Sequence, residues 1–250
     1  MKQGFWTSVQ NMVKRTDIIL EVLDARMPEL TRNRKMEHFI SSCHKPLILI
    51  INKIDIVSLQ TVQKIKEKYK DRDYVLVSST KGKGIFDLIK KIKSKCKSEN
   101  ARVGIIGYPN TGKSSLVNRL SKRARVPTSS ESGHTRGTQF VAGKGKFFLI
   151  DTPGVVPFED RDEVLLGLMS GISPSKLQDP ELVALELLNM FKASNPNALE
   201  TYSLNPKLET EELLNQFGAK RNFLMKGAVV DERRAAIELL NEWHKGKIRL

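Results

Sequence analysis

The stretch Gly107-Tyr108-Pro109-Asn110-Thr111-Gly112-Lys113-Ser114 has the spacing of a phosphate cradle. Its glycines let successive backbone N–H groups curl around phosphate oxygens. Lys113 can then reach the β- and γ-phosphates of a nucleotide, and the Ser114 hydroxyl suits Mg²⁺. Asn110, Thr111, Gly112 and Ser115 complete this candidate set. Asp151-Thr152-Pro153-Gly154 follows 38 residues after Lys113. The Asp151 carboxylate can hold Mg²⁺ through water, and the N–H of Gly154 can meet a γ-phosphate. Either motif alone has a plainer reading, a glycine turn before a helix or an Asp-Pro-Gly turn. The spacing between them favours the nucleotide.

Asn52-Lys53-Ile54-Asp55 bears on the base. A carboxylate at Asp55 accepts from both N1–H and the 2-amino group of guanine. Adenine lacks that donor pair, so a buried Asp55 would be left unpaired against ATP, at a cost of roughly 1–3 kcal/mol. Ser78, Ser79 and Thr80 end another apolar run, where a backbone N–H can meet guanine O6. Thr135, in the polar stretch Ser129–Gly137, can complete a Mg²⁺ shell when a γ-phosphate is present, which would make the stretch a switch. His134 beside it is a candidate for orienting water; otherwise it is a surface histidine. Lys113, Thr135, Gly154 and His134 are thus the candidate catalytic residues.

These side chains need a sheet to converge on. Short β-branched runs at Ile18–Leu23, Leu47–Ile51, Tyr74–Val77, Val103–Ile106, Gln139–Ala142 and Phe147–Ile150 suit buried strands. Helical patterns at Arg34–Ser42, Leu59–Lys70, Ile85–Lys97 and Lys113–Ser121 fall between them. The alternation predicts an α/β fold with a mostly parallel six-stranded sheet. Gly143-Lys144-Gly145 predicts a hairpin and one antiparallel edge. Past residue 160 only helical patterns remain, at Glu163–Gly171, Pro180–Lys192, Glu209–Phe217 and Asp231–Lys245, with Ala193–Asn197 as a loop. The expected division is 1–160 and 161–250.

The net charge is +14 over 250 residues. It is +17 over residues 1–158 and −3 over 159–250. A polyanionic partner such as RNA, or a solvated lysine-rich surface, would each account for it. Lys220, Arg221, Lys226, Arg233 and Arg234 are candidate RNA phosphate contacts, and Lys64–Arg72 with Lys90–Lys97 form a second basic set. A charged helix surface is the alternative for both. No run of 18 apolar residues suggests a membrane span. Two cysteines, Cys43 and Cys96, make no disulfide framework, so a reducing cytoplasm is expected. A metal site would need Cys43, His44 and Cys96 to meet in space. A monomer is expected.

The motifs resemble those of the TRAFAC class of GTPases, but in an unusual order. The base-reading motifs Asn52–Asp55 and Ser78–Thr80 precede Gly107–Ser114, Thr135 and Asp151–Gly154. All would sit at carboxyl ends of strands, so cutting and rejoining the chain leaves the site unchanged. With Asp24-Ala25-Arg26-Met27-Pro28 ahead of Asn52, nearly the whole chain resembles the YlqF/RbgA group of circularly permuted GTPases. The resemblance implies a permuted Ras-like P-loop GTPase domain followed by a small all-α domain. It implies GTP hydrolysis in assembly of the large ribosomal subunit, with the C-terminal helices on ribosomal RNA. It also implies K⁺-stimulated hydrolysis associated with Asn110. The sequence departs from the group in two places. Phe5-Trp6-Thr7-Ser8 stands where many bacterial members have a histidine, and Val155 follows Gly154 where a water-orienting glutamine stands in Ras-like enzymes. Slow intrinsic hydrolysis is therefore expected. The permutation leads the chain directly from Asp151–Gly154 into the helical part, so the γ-phosphate loop would double as a hinge.

Overall fold

A computed structural model of the chain describes residues 3–96, 100–121, 139–151 and 163–248. The chain falls into two compact units, Met1–Glu159 and Asp160–Leu250.

The first unit is an α/β layer structure. Its strands are β1 (Ile18–Asp24), β2 (Leu47–Asn52), β3 (Tyr74–Leu76), β4 (Arg102–Ile106), β5 (Gln139–Ala142) and β6 (Phe148–Asp151). They lie in the order β3-β2-β1-β4-β6-β5. β1 pairs in parallel with β2 and β4, β2 with β3, and β4 with β6. β5 joins β6 antiparallel through the glycine hairpin. The helices are α1 (Gln3–Arg15), α2 (Arg34–Ser42), α3 (Leu59–Tyr69), α4 (Ile85–Lys95) and α5 (Lys113–Leu120).

β1 is buried along its whole length because helices cover both faces. Its alternate residues Ile18, Leu20 and Val22 pack with α4 and α5 through Leu88, Ile92, Leu116 and Leu120. On the other face Ile19 meets Val9, Met12 and Val13 of α1 and Met36 and Ile40 of α2. Leu23 packs with Ile65 and Tyr69 of α3. The sequence reading assigned no element to α1. Its signal was the helical spacing of Val9, Met12 and Val13, which form its buried stripe.

Glu21 interrupts the apolar run of β1 and is fully buried. Its Oε1 accepts from the N–H of Asn33 at 2.7 Å, at the start of α2, while Oε2 has no hydrogen-bond partner. Asn33 in turn caps α2 by accepting from Met36 N. Arg32 and Glu37 close this corner with bonds of 2.7 and 2.5 Å. Burial pushes the Glu21 carboxyl up to about 8, and nearby Glu37 adds to the shift against the pull of the Asn33 N–H and Arg32.

The second unit contains α6 (Glu163–Leu168), α7 (Pro180–Ser194), α8 (Asn197–Thr201), α9 (Thr210–Lys220) and α10 (Glu232–His244). Its core joins Val183, Leu187 and Phe191 of α7, Leu213 and Phe217 of α9, and Leu239 and Trp243 of α10. The Trp243 ring stands edge-on to Phe191 with centroids 5.8 Å apart, and its Nε1 donates to Leu168 O at 2.9 Å. Asp179 and Asp231 cap α7 and α10 by accepting from Leu182 N and Arg234 N. α9 begins one residue after the predicted Glu209, which is its cap and forms a capping box with Glu212. α6 also stops at Leu168, short of the predicted Gly171, and the predicted loop Ala193–Asn197 is mostly helix, shared between α7 and α8.

Candidate nucleotide-binding site

Five parallel strands bring their carboxyl ends to one edge of the sheet, and the motifs follow those ends. The phosphate loop leaves β4 at Gly107 and enters α5 at Lys113. Gly107 has φ +143, and an added Cβ would lie 2.4 Å from Val22 O of β1. Gly112 has φ +96, and a Cβ there would sit 2.3 Å from Asn52 Nδ2. Neither position admits another residue without a backbone shift. Asn110 also takes a left-handed φ of +58. Thr111 is buried and its Oγ1 donates to Tyr108 O at 2.9 Å. Lys113 Nζ lies 2.8 Å from Gly107 O and 2.5 Å from Tyr108 O, so its ammonium rests in the bend of the loop. Ser114 is exposed and Ser115 half-buried in the first turn of α5. The N–H groups that open a helix, together with its dipole, favour an anion there.

Asn52 ties this loop to the base-reading segments. It is 2% exposed. Its Nδ2 donates to Thr111 O at 2.9 Å, and its Oδ1 accepts from Ser79 N at 3.0 Å and Ser79 Oγ at 2.9 Å. One side chain therefore links the ends of β2, β3 and β4. From sequence Asn52 is expected among the nucleotide contacts; its amide bonds protein on both sides. Asp55 Oδ2 accepts from Thr80 Oγ1 at 3.1 Å, and Ser78 Oγ lies 3.1 Å from the same hydroxyl. Asp55 is half-buried rather than buried, because its loop lies at the rim of the sheet edge. Arg119, on α5, donates through Nε to Ser79 O at 2.6 Å and through a terminal nitrogen to Thr80 O. Sequence reasoning passed over Arg119, whose signal was a basic residue two turns beyond Lys113 on the same helix.

It also treated Asp24 and Arg26 only as markers. Asp24, at the end of β1, is buried, and its two oxygens receive Arg26 N and Nε at 3.0 Å each and a terminal Arg26 nitrogen at 2.8 Å. Lys53 Nζ completes the set at 2.8 Å. Burial alone would raise the Asp24 carboxyl; the two cations outweigh it and hold the group well below the usual carboxylate range. Burial pushes the Lys53 ammonium down, and Asp24 opposes that shift.

Asp151 ends β6, the strand beside β4, across from Gln139 of β5. Thr135, His134 and Gly154 lie outside the described residues, as does Lys97 of the second basic set. Cys43 and Cys96 are free thiols, and no group of three or more His, Cys, Asp or Glu among the described residues could hold a metal ion. The described helices include none long and apolar enough to cross a membrane.

The five basic residues singled out on the second unit are not equivalent. Arg221 is paired with Glu242 at 2.8 Å and lies over Phe217. Arg233 meets Glu181 at 3.4 Å and the carbonyls of Leu177 and Gln178. Lys220 donates to Ser203 O. Arg234 lies over Phe223 at 4.5 Å, and among the described residues no ion pair involves Arg234 or Lys226. In the second basic set Lys68, Lys70, Lys91 and Lys95 are paired with Glu29, Glu67 or Asp73.

A glycine-bearing loop between a strand and a helix, flanked on the same sheet edge by Asn52–Asp55 and Ser78–Thr80, defines a P-loop GTPase domain with its strands in permuted order. Residues 102–203 match the family model described as 50S ribosome-binding GTPase. That match starts at the first residue of β4, so it takes in the phosphate half and leaves the base-reading half ahead of it. A GDP-bound structure of YlqF aligns with TM-score 0.73 at 25% identity, over 96% of this chain and 95% of that one. An uncharacterized GTP-binding protein of Methanocaldococcus jannaschii is 35% identical over 96% of this chain and 65% of its own length. Nucleolar GTP-binding protein 2 of Eremothecium gossypii is 30% identical over 97% of this chain and 50% of its own. The chain thus spans between half and two thirds of these relatives' lengths. Its fold is that of the circularly permuted GTPases of the YlqF type.

Proposed function

We propose that this protein binds GTP with Mg²⁺, hydrolyses it to GDP and phosphate, and couples the nucleotide to ribosomal RNA during assembly of the large ribosomal subunit. The observation that carries the reading is Asn52, whose three bonds hold the phosphate loop and the base-reading segment on one sheet edge. Lys113 would leave its loop carbonyls for the β- and γ-phosphates, Thr111 and Gly112 would offer backbone N–H groups, and Asp55 would read guanine. Ser79 N is bonded to Asn52 and Ser78 N to Lys83 O, which leaves guanine O6 to the N–H of Thr80. Ser114 and Asp151 supply a hydroxyl and a carboxylate, hard oxygen donors that fit Mg²⁺. Bound there, the ion would neutralise charge building on the phosphates. Thr135 and Gly154 would close on the γ-phosphate, His134 would orient water, and Asn110 would favour K⁺.

The ribosomal partner is supported by the family description and by the +17 charge of residues 1–158. In the second unit, Lys226 and Arg234 are the better candidates for RNA phosphates, because Arg221 and Arg233 already have carboxylate partners. A second reading, a GTP-dependent RNA-binding module with negligible hydrolysis, draws on Val155 following Gly154. Phosphate release measured with and without large ribosomal subunits separates the two: stimulated release supports the enzyme, and none supports the module. Cosedimentation with subunits that is the same in GDP and in a non-hydrolysable GTP analogue would overturn the nucleotide coupling. Asp55→Asn is expected to move preference from guanine to xanthine, and unchanged selectivity would remove Asp55 from the site.

A further inference from the structure

The base-reading turn contains a strained residue with an unusual support. Lys53 has φ +67 and ψ +30, the left-handed region that a side-chain-bearing residue enters at a cost. It immediately precedes Ile54-Asp55, so its backbone sets where the Asp55 carboxylate points. Such conformations persist when their surroundings over-determine them. On one side Asn52 is fixed by its bonds to Thr111 and Ser79. On the other the Lys53 ammonium is drawn 2.8 Å from Asp24 Oδ2. Asp24 cannot drift, because Arg26 grips it bidentately from a fully buried guanidinium and its own N–H donates to Thr31 Oγ1 at 3.0 Å. Thr31 Oγ1 in turn donates to Met27 O at 3.1 Å, closing the loop after β1 on itself.

We propose that Asp24 and Arg26 are positioning residues for guanine recognition. They clamp the Lys53 side chain so that the left-handed turn is kept and Asp55 stays aimed at the base. The clamp rests on the nucleotide reading above. It gives Asp24-Ala25-Arg26 a task in the site: β1 lends its terminal carboxylate, held by Arg26, to the neighbouring strand's loop.

The test is a double-mutant cycle read in binding. Kd is measured for fluorescent GDP and for IDP, which lacks the 2-amino group, with melting curves recorded alongside. Asp24→Asn is expected to weaken GDP binding about tenfold or more and to narrow the preference for GDP over IDP. In a Lys53→Gly background, where glycine adopts the left-handed turn unaided, the same Asp24→Asn change is expected to alter Kd by less than about threefold. An equal loss in both backgrounds overturns the clamp, because Asp24 would then act on the fold and not through Lys53. Should Asp24→Asn fail to fold, Lys53→Met leaves the Asp24–Arg26 pair intact. It is expected to show the same loss, and unchanged affinity and preference would overturn the proposal. Wild-type protein that binds neither nucleotide refutes the nucleotide reading itself, which is a separate failure.

Discussion

Replacing Asn52 by alanine is expected to disconnect the phosphate loop from the base-reading segment. The side chain makes three bonds, to Thr111 O, Ser79 N and Ser79 Oγ, at 2.9–3.0 Å, and is 2% exposed. A net 0.5–1.5 kcal/mol for each bond gives roughly 1.5–4.5 kcal/mol. Stranding the Thr111 carbonyl and the Ser79 N–H favours the upper half of that range, because buried groups left unpaired cost roughly 1–3 kcal/mol each. If that loss falls on the bound state, GDP affinity drops roughly a hundredfold to two-thousandfold. If it falls on the fold, the melting temperature drops instead, so titration of fluorescent GDP and thermal unfolding belong in one experiment. Asn52→Asp sharpens the test. It keeps an acceptor for Ser79 but sets a carboxylate oxygen against Thr111 O, so it should be nearly as damaging. An Asn52→Ala protein with affinity within about threefold and an unchanged melting temperature would refute the reasoning that this amide joins the loops.

Other outcomes follow from the same geometry. Gly112→Ala places a Cβ 2.3 Å from Asn52 Nδ2 at φ +96, so nucleotide binding should be lost by titration. Glu21→Gln should stabilise the protein in a pH-dependent way. The folded carboxyl keeps its proton to about pH 8 while the unfolded one releases it near 4.5, so its contribution is full below 4.5 and is lost as pH rises towards 8. Urea unfolding should show little gain for Glu21→Gln near pH 4.5, growing by up to about 1.4 kcal/mol per pH unit above it. A gain independent of pH would contradict a buried proton on Glu21. Trp243→Ala empties the centre of the helical unit and strands Leu168 O, and chemical denaturation should show a loss of roughly 3–5 kcal/mol in that unit.

The sheet was legible in the sequence because its central strands β1 and β2 are buried on both faces and its strands read as short apolar, β-branched runs. All six appear in the structure, including the antiparallel edge foretold by Gly143-Lys144-Gly145. The phosphate loop and Asn52–Asp55 were legible because their spacing reflects backbone demands that few residues meet. What stayed hidden depended on contacts distant in sequence. Asn52 and Thr111 are 59 positions apart, and Lys53 and Asp24 are 29 apart. Nothing in the spacing tells that an asparagine will bond protein, or that Arg119 will reach across to Ser79. Glu21 hid inside an apolar run, since a lone acid there looks the same whether it faces solvent or a helix end. α1 went unassigned although Phe5, Trp6, Val9, Met12 and Val13 recur in the sequence at helical spacing.

The central claim, a guanine site assembled in permuted order, is tested most directly by competition against fluorescent GDP with Mg²⁺ present. The account predicts that unlabelled GDP and GTP displace the probe near stoichiometry while ADP fails at about a hundredfold excess. Displacement by ADP as effective as by GDP would contradict it.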